Sequence, residues 1–240
     1  MVVKNQIKFI KSLQQKKYRI QSGMFVAEGI KVVRELLASN FKPYRIYTTN
    51  TEILDHKSEV VEKIQEGDLK KISGLQTPNT ILGIFYMSPP GAVDFSDWIL
   101  ALDDVRDPGN LGTVIRLCDW FGIKHLVCSE HTVDCYNPKV LQASMGSIAR
   151  VSITYTDLAD FIKNTEIPVY GAFMDGENVY GEPLPKTGIL VMGNEAKGIS
   201  EKLEGLVQKK LTIPPHGERT AESLNVATAT AILLNELRRP

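Results

Sequence analysis

Lys210–Leu237 reads KLTIPPHGERTAESLNVATATAILLNEL, and the fold turns on this run. Leu211–Thr212–Ile213 favours a strand, and Pro214–Pro215 ends it, because proline cannot donate to a ladder. A polar loop, His216–Thr220, follows. Then comes a helix with two apolar stripes. One is Leu224, Ala227, Ala231 and Leu234; the other is Val226, Ala229, Leu233 and Leu237. A helix apolar on two faces is buried on two sides. Its first turn carries Ser223, Asn225 and Thr228. Small polar groups there either cap the helix or face a ligand, and spacing alone favours capping.

Working outward, the same strand–loop–helix pattern recurs upstream. Trp98–Asp104 holds a short buried run and reads as a strand. A turn-rich loop, Val105–Asn110, leads into a helix from Leu111 to Phe121, which Gly122 closes as a C′ glycine. His125–Cys128 is the next strand, completing a βαβ unit. Asp134–Lys139 opens a helix through Ser147. Val169–Met174 and Gly188–Met192 are further strands, and a helix starts at Ile199. The second half is therefore a parallel α/β domain.

Ser88–Pro89–Pro90–Gly91 is the clearest linker signal, so the domains are 1–91 and 92–240. The first half is a smaller α/β unit. It has strands at Tyr44–Tyr47 and Ile81–Met87, a helix across Ser58–Gln65 and a helix through Leu37. Residues 4–34 carry Lys4, Lys8, Lys11, Lys16, Lys17, Arg19, Lys31 and Arg34 against the single acid Glu28. Ile7, Ile10 and Leu13 fall at helical spacing, so this is an amphipathic helix with a basic face. A solvated face and an RNA phosphate contact through Lys8, Lys11, Lys16, Lys17 and Arg19 are equally open readings.

The totals exclude other classes. The 240 residues are 43% hydrophobic and 23% charged, ordinary for a soluble chain, with no apolar run long enough for a membrane span. A net charge of zero argues against indiscriminate coating of nucleic acid. Three cysteines without a C-x-x-C suit a reducing cytoplasm. His125, Cys128, His131 and Cys135 have spacing that permits zinc, but structural roles outweigh it, and no metal is expected.

Three phrases carry the function. Asn110-x-Gly112-x-x-x-Arg116 sits at a strand-to-helix turn, where glycine lets a ligand approach the backbone. Taken alone, Arg116 pairs with Asp103, Asp104 or Asp119. Gly109-x-x-Gly112 is not a dinucleotide fingerprint. Gly193-x-Glu195-x-x-Gly198 suits a tight loop holding one acceptor. Ile213–Pro214 with Ser223–Leu224–Asn225–Val226–Ala227 is the third.

In this order the three resemble the motifs of the SpoU/TrmH family of the SPOUT superfamily. These are S-adenosylmethionine-dependent RNA ribose 2′-O-methyltransferases with a trefoil-knotted α/β fold. Lys17–Tyr18–Arg19 with Phe25–Val26–Ala27–Glu28–Gly29 resembles the substrate-binding domain ahead of many SpoU-type domains, itself similar to large-subunit ribosomal proteins that bind kinked RNA. The Lys139 to Ser147 stretch is also similar to the family, where that helix borders the RNA pocket, although many members carry Arg where Gln142 stands.

The resemblance implies catalytic roles for Arg116, Asn110, Glu195, Ser223 and Asn225, and cofactor contacts at Gly193, Gly198, Ile213 and Leu224. It also implies S-adenosylmethionine as cofactor, RNA as partner with ribosomal RNA favoured over transfer RNA, and a homodimer through the knotted domain. A guanidinium stays protonated and offers no acceptor, so Arg116 suits phosphate holding and alkoxide stabilisation better than the role of base. Two rivals remain. One is a non-catalytic RNA-binding protein with a degenerate second domain, which the intact motif residues oppose. The other is a small-molecule enzyme with a nucleotide cofactor, which the basic helix and missing fingerprint oppose.

Overall fold

The structure is a computed structural model that describes residues 1–54, 59–181, 183–217 and 223–239. The chain forms two compact units, Met1–Pro89 with Asp134–Ala149, and Pro90–Val133 with Arg150–Pro240. Asp134–Ala149, which follows the Ser88–Gly91 linker in sequence, packs with the first unit.

In chain order the first unit contains α1 (Lys4–Ser12), α2 (Lys16–Ser22), β1 (Met24–Glu28), α3 (Ile30–Leu37), β2 (Pro43–Thr48), β3 (Val61–Lys63), α4 (Glu66–Ile72) and β4 (Ile81–Tyr86). Its sheet has the order β1-β4-β2-β3. The β2–β3 pair is parallel and the others antiparallel. Ile10 and Leu13 pack on Val26, Leu82 and Ile84 of one face, with Leu69 and Ile72 of α4. The helix expected across Ser58–Gln65 is not there. β-branched Val61 pairs with Ile46 in a strand, and the helix begins only after Gln65. Ser58 lies outside the described residues.

Elements β5 (Trp98–Leu102), α5 (Pro108–Trp120), β6 (His125–Ser129), α6 (Pro138–Ser144), β7 (Ser152–Thr156), α7 (Leu158–Lys163), β8 (Val169–Asn178), β9 (Gly188–Met192), α8 (Glu201–Glu204), β10 (Lys209–Thr212) and α9 (Val226–Leu237) follow. Of these, α6 belongs to the first unit. It ends at Ser144, short of Ser147, because Met145 and Gly146 turn left-handed with φ of 52° and 94°. Tyr136, at the head of this excursion, lies 4.6 Å from Phe25 in an aromatic cluster with Phe41.

The second unit is built on a parallel sheet of order β10-β8-β9-β5-β6-β7. Ile99, Ala101, Val127, Ile189 and Val191 alternate onto one face, under Leu158 and Ile162 of α7 and Leu203 of α8. Helices α5 and α9 pack on each other, and α5 also packs on β6. From β5 the chain winds outward to β6 and β7, then returns to β8, so the strand order reverses between β5 and β9. Ligands of open α/β sheets bind outside the strand carboxyl ends at such a switch point.

Candidate active site

The loops at that switch point hold the motif residues. Asp107 caps α5 by accepting from Asn110 N at 2.8 Å, and Pro108 takes the first helical position. This fixes Asn110 within the first turn of the helix. After β9 the chain turns back on itself. Asn194 and Gly198 exchange two backbone hydrogen bonds, each 2.9 Å. A Cβ on Gly193 would sit 2.2 Å from the Gly198 carbonyl carbon, so only glycine fits. Gly198 holds φ of 71°.

Asn194 is a residue that the motif pattern passed over. Its Oδ1 accepts from Ala196 N and Lys197 N, and its Nδ2 donates to the carbonyl of Asp104 at 2.7 Å. Asp104 is itself left-handed, with φ of 57°, and its N–H donates to Ser129 Oγ. The strand expected to reach Asp104 stops at Leu102, and this turn replaces its end. Asn was the available signal, since its side chain closes turns on its own backbone.

Asn225 settles the choice between capping and ligand binding by capping while keeping a free arm. Its Oδ1 accepts from Ala227 N and Thr228 N at the start of α9. Its Nδ2 is thereby left to donate to Asn110 Oδ1, at 2.9 Å. Asn110 Nδ2 in turn donates to Glu195 Oε1, at 2.9 Å. The helix cap fixes one amide, that amide fixes the next, and a carboxylate acceptor closes the chain. All three motifs meet in it.

Glu195 also lines a cavity of about 890 Å³. Gly193, Gly198, Ile213, Ser223 and Leu224 line it too, above a floor of Met192, Leu211, Val226 and Leu233. One wall is Ala172–Asp175, where β8 loops away from β10, so that Lys210 pairs with Gly171 but Leu211 with Glu177. Leu224, expected in the buried stripe of the helix, precedes α9 and is 48% exposed. The cap at Asn225 starts the helix after it. Thr220 and the rest of the loop before Ser223 lie outside the described residues, apart from His216 and Gly217.

Arg116 stands apart. It is exposed on α5, does not line the cavity, and among the described residues makes no hydrogen bond or ion pair. The aspartates offered as its partners are engaged elsewhere: Asp103 with Ser200 N, Asp104 with Arg106, Asp119 with Arg150.

Lys8, Lys11, Lys16 and Lys17 are exposed, and among the described residues no carboxylate pairs with them. Arg19 does not join that face. It is 2% exposed and spends its guanidinium on Asp134, at 3.1 Å from Nε, and on the carbonyls of Leu13 and Gln14, both at 2.9 Å. It is an internal tie, not a phosphate contact. Cys118, Cys128 and Cys135 are buried thiols, and His125 accepts from Asp94 N through Nε2.

An open parallel sheet with a polar chain across its switch point and an adjoining cavity defines a cofactor-dependent α/β enzyme. The chain belongs to the SpoU rRNA methylase family, whose profile matches residues 97–235. Residues 4–83 match the MRM3-like substrate binding domain. The chain is 31% identical to the 23S rRNA (guanosine(2553)-2′-O)-methyltransferase RlmP of Bacillus subtilis, over 98% of this chain and 97% of that one. A structure assigned to the TrmH family of RNA methyltransferases from Porphyromonas gingivalis superposes with a TM-score of 0.91 at 39% identity, covering 99% and 98% of the two chains. The AdoMet-bound rRNA methyltransferase of Sinorhizobium meliloti gives a TM-score of 0.88 at 29% identity, covering 99% and 95%. The protein is thus a methyltransferase, and S-adenosylmethionine is its cofactor.

The residues fit that cofactor. The cavity floor is apolar. Among the described residues, the main-chain groups of Ile213 and Leu224 make no hydrogen bond, leaving donors and acceptors for a purine or an amino acid. No helix among the described residues is long and apolar enough to cross a membrane.

Proposed function

We propose that the protein methylates a ribose 2′-hydroxyl of large-subunit ribosomal RNA. The observation that carries this is the Asn225–Asn110–Glu195 chain, which joins three distant motifs at the edge of one cavity. The RlmP relative supports the substrate, since its name specifies a 23S rRNA 2′-O-methylation. S-adenosylmethionine supplies an electrophilic sulfonium methyl. Ile213, Leu224 and the Gly193–Gly198 loop would hold it. Glu195, fixed by Asn110, sets the geometry at the reacting end with Ser223 and Asn225. Arg116 holds an RNA phosphate and stabilises the alkoxide that develops at the 2′-oxygen, while phosphate or water takes the proton.

Arg116 is absent from the cavity lining of its own chain, and among the described residues it has no partner. This supports a homodimer in which Arg116 of one copy serves the cavity of the other. Trp120, one turn beyond Arg116 and 83% exposed, supports the same face as the contact. The knotted threading and the 1–91 and 92–240 domain division belong to the same reading.

The test is transfer of tritiated methyl to ribosomal RNA from a strain deleted for this gene, with 2′-O-methyl mapping by resistance to alkaline hydrolysis. One new protected site in large-subunit RNA is expected; label in transfer RNA alone overturns the substrate. For the dimer, Arg116→Ala and Gly193→Val are each expected to be inactive and to recover activity when mixed. A monomer by light scattering that retains activity overturns it.

A further inference from the structure

Three aromatic rings meet at the open end of the first unit's sheet. Tyr86 closes β4, and Tyr44 lies in β2 beside it. Their ring centroids are 6.0 Å apart at 89°. Phe9 of α1 meets Tyr44 edge-on, at 6.3 Å and 70°. The register explains the ladder. Val26 pairs with Ile84 and Met24 with Tyr86, so Ile84 and Tyr86 share the face that α1 covers. Phe9 is only partly buried, and Tyr44 is left 42% exposed. A core needs no such ring, and among the described residues the Tyr44 hydroxyl makes no hydrogen bond.

A cation sits on the ladder. Lys42 lies over the Tyr86 ring at 5.8 Å from its centroid. Lys8 and Lys11 are exposed on the same helix as Phe9, one and two positions from it and so on other faces. Among the described residues no carboxylate pairs with Lys8, Lys11 or Lys42. A cation on the ladder and unpaired lysines on the neighbouring helix match nucleic acid, where phosphates meet the lysines and an unstacked base lies on the ring. A protein partner with an apolar patch would leave the Lys42 charge uncompensated.

We infer that Tyr44, framed by Phe9 and Tyr86 with Lys42 over the Tyr86 ring, is a stacking platform for an unpaired base of the RNA substrate. The inference rests on the RNA reading above and deepens it: the substrate presents a looped-out or bulged nucleotide some distance from the methylated ribose. Sequence preference there is weak, because every base has a π face.

The probe is an RNA hairpin with 2-aminopurine in its unpaired loop, compared with a fully paired duplex of equal length. The full chain should prefer the hairpin and quench its fluorescence. Tyr44→Ala, at an exposed position, should weaken hairpin binding roughly tenfold and abolish the quench, with an unchanged salt slope. Tyr44→Phe should keep both. Lys8→Ala with Lys42→Ala should flatten the slope and keep the quench. Wild-type binding and quenching by Tyr44→Ala overturn the platform, as does absence of hairpin binding by the wild type. So does a change of oligomeric state in Tyr44→Ala, which would mark a protein interface. In each case, methyl transfer to ribosomal RNA tells whether the RNA reading itself survives.

Discussion

Asn225 donates to Asn110 across 2.9 Å, although 115 positions separate them in the chain. One amide therefore does two jobs: its oxygen caps α9 and its nitrogen anchors the motif after β5. The jobs can be separated. Asn225→Asp keeps the cap oxygen but cannot donate to Asn110. Melting temperature should stay close to wild type, while single-turnover methyl transfer should fall by about tenfold or more. Asn225→Ala should also lose about 1 kcal/mol of stability by urea titration. Full activity in Asn225→Asp would show that the chain is only a cap.

Arg116→Ala and Arg116→Lys should bind S-adenosylmethionine with near wild-type affinity by calorimetry, because Arg116 is absent from the cavity lining. Both should lose single-turnover transfer by roughly a hundredfold. Lysine keeps the charge but not the planar fork that grips two phosphate oxygens. Near-full activity of the lysine variant would mean that a point charge suffices.

The basic residues of α1 and α2 are of two kinds. Replacing Lys8, Lys11, Lys16 and Lys17 with Ala should leave stability unchanged and flatten the salt dependence of RNA binding. On duplex-like RNA the slope should drop by up to ~0.9 log unit for each phosphate no longer neutralised. Arg19→Ala should behave oppositely. It strands a mostly buried Asp134 and two carbonyls. A loss of about 3–5 kcal/mol is expected for breaking a buried pair. An unfolding midpoint equal to wild type would contradict the internal tie.

Burial of its ring holds the pKa of His125 below the ordinary imidazole value, against the opposing pull of Asp94. Its Nε2 accepts from Asp94 N, and its buried Nδ1 has no partner among the described residues. The folded state thus resists protonation more than the unfolded one. Stability should be highest above the unfolded pKa of about 6.5, fall as pH drops below it, and level off beneath the folded value. His125→Gln, which does not titrate, should flatten the urea midpoint between about pH 7.5 and 5.5. Asp97 adds a second, lower limb. The Arg238 guanidinium keeps its carboxyl below the usual range, so its contribution is present above about pH 3.9 and disappears as pH falls through the folded pKa.

Sequence alone determined what local chemistry controls. Short apolar runs and the strand-to-helix turns marked the parallel sheet, and Pro214 and Gly122 marked ends that the structure respects. The three motifs carried the family, because the tight loop at Gly193 tolerates no side chain and so leaves a readable trace. Where local preference was ambiguous, packing decided. Val61 became a strand because β2 lay open for parallel pairing, and no periodicity near residue 60 encodes that. Arg19 read like its neighbouring lysines, since burial depends on Asp134, which is 115 positions away. The chain from Asn225 through Asn110 to Glu195, the turn built on Asn194, and the aromatic ladder at Tyr44 all join residues from separate elements. Side-chain direction across such distances is set by sheet register and helix packing, so only the tertiary structure could supply it.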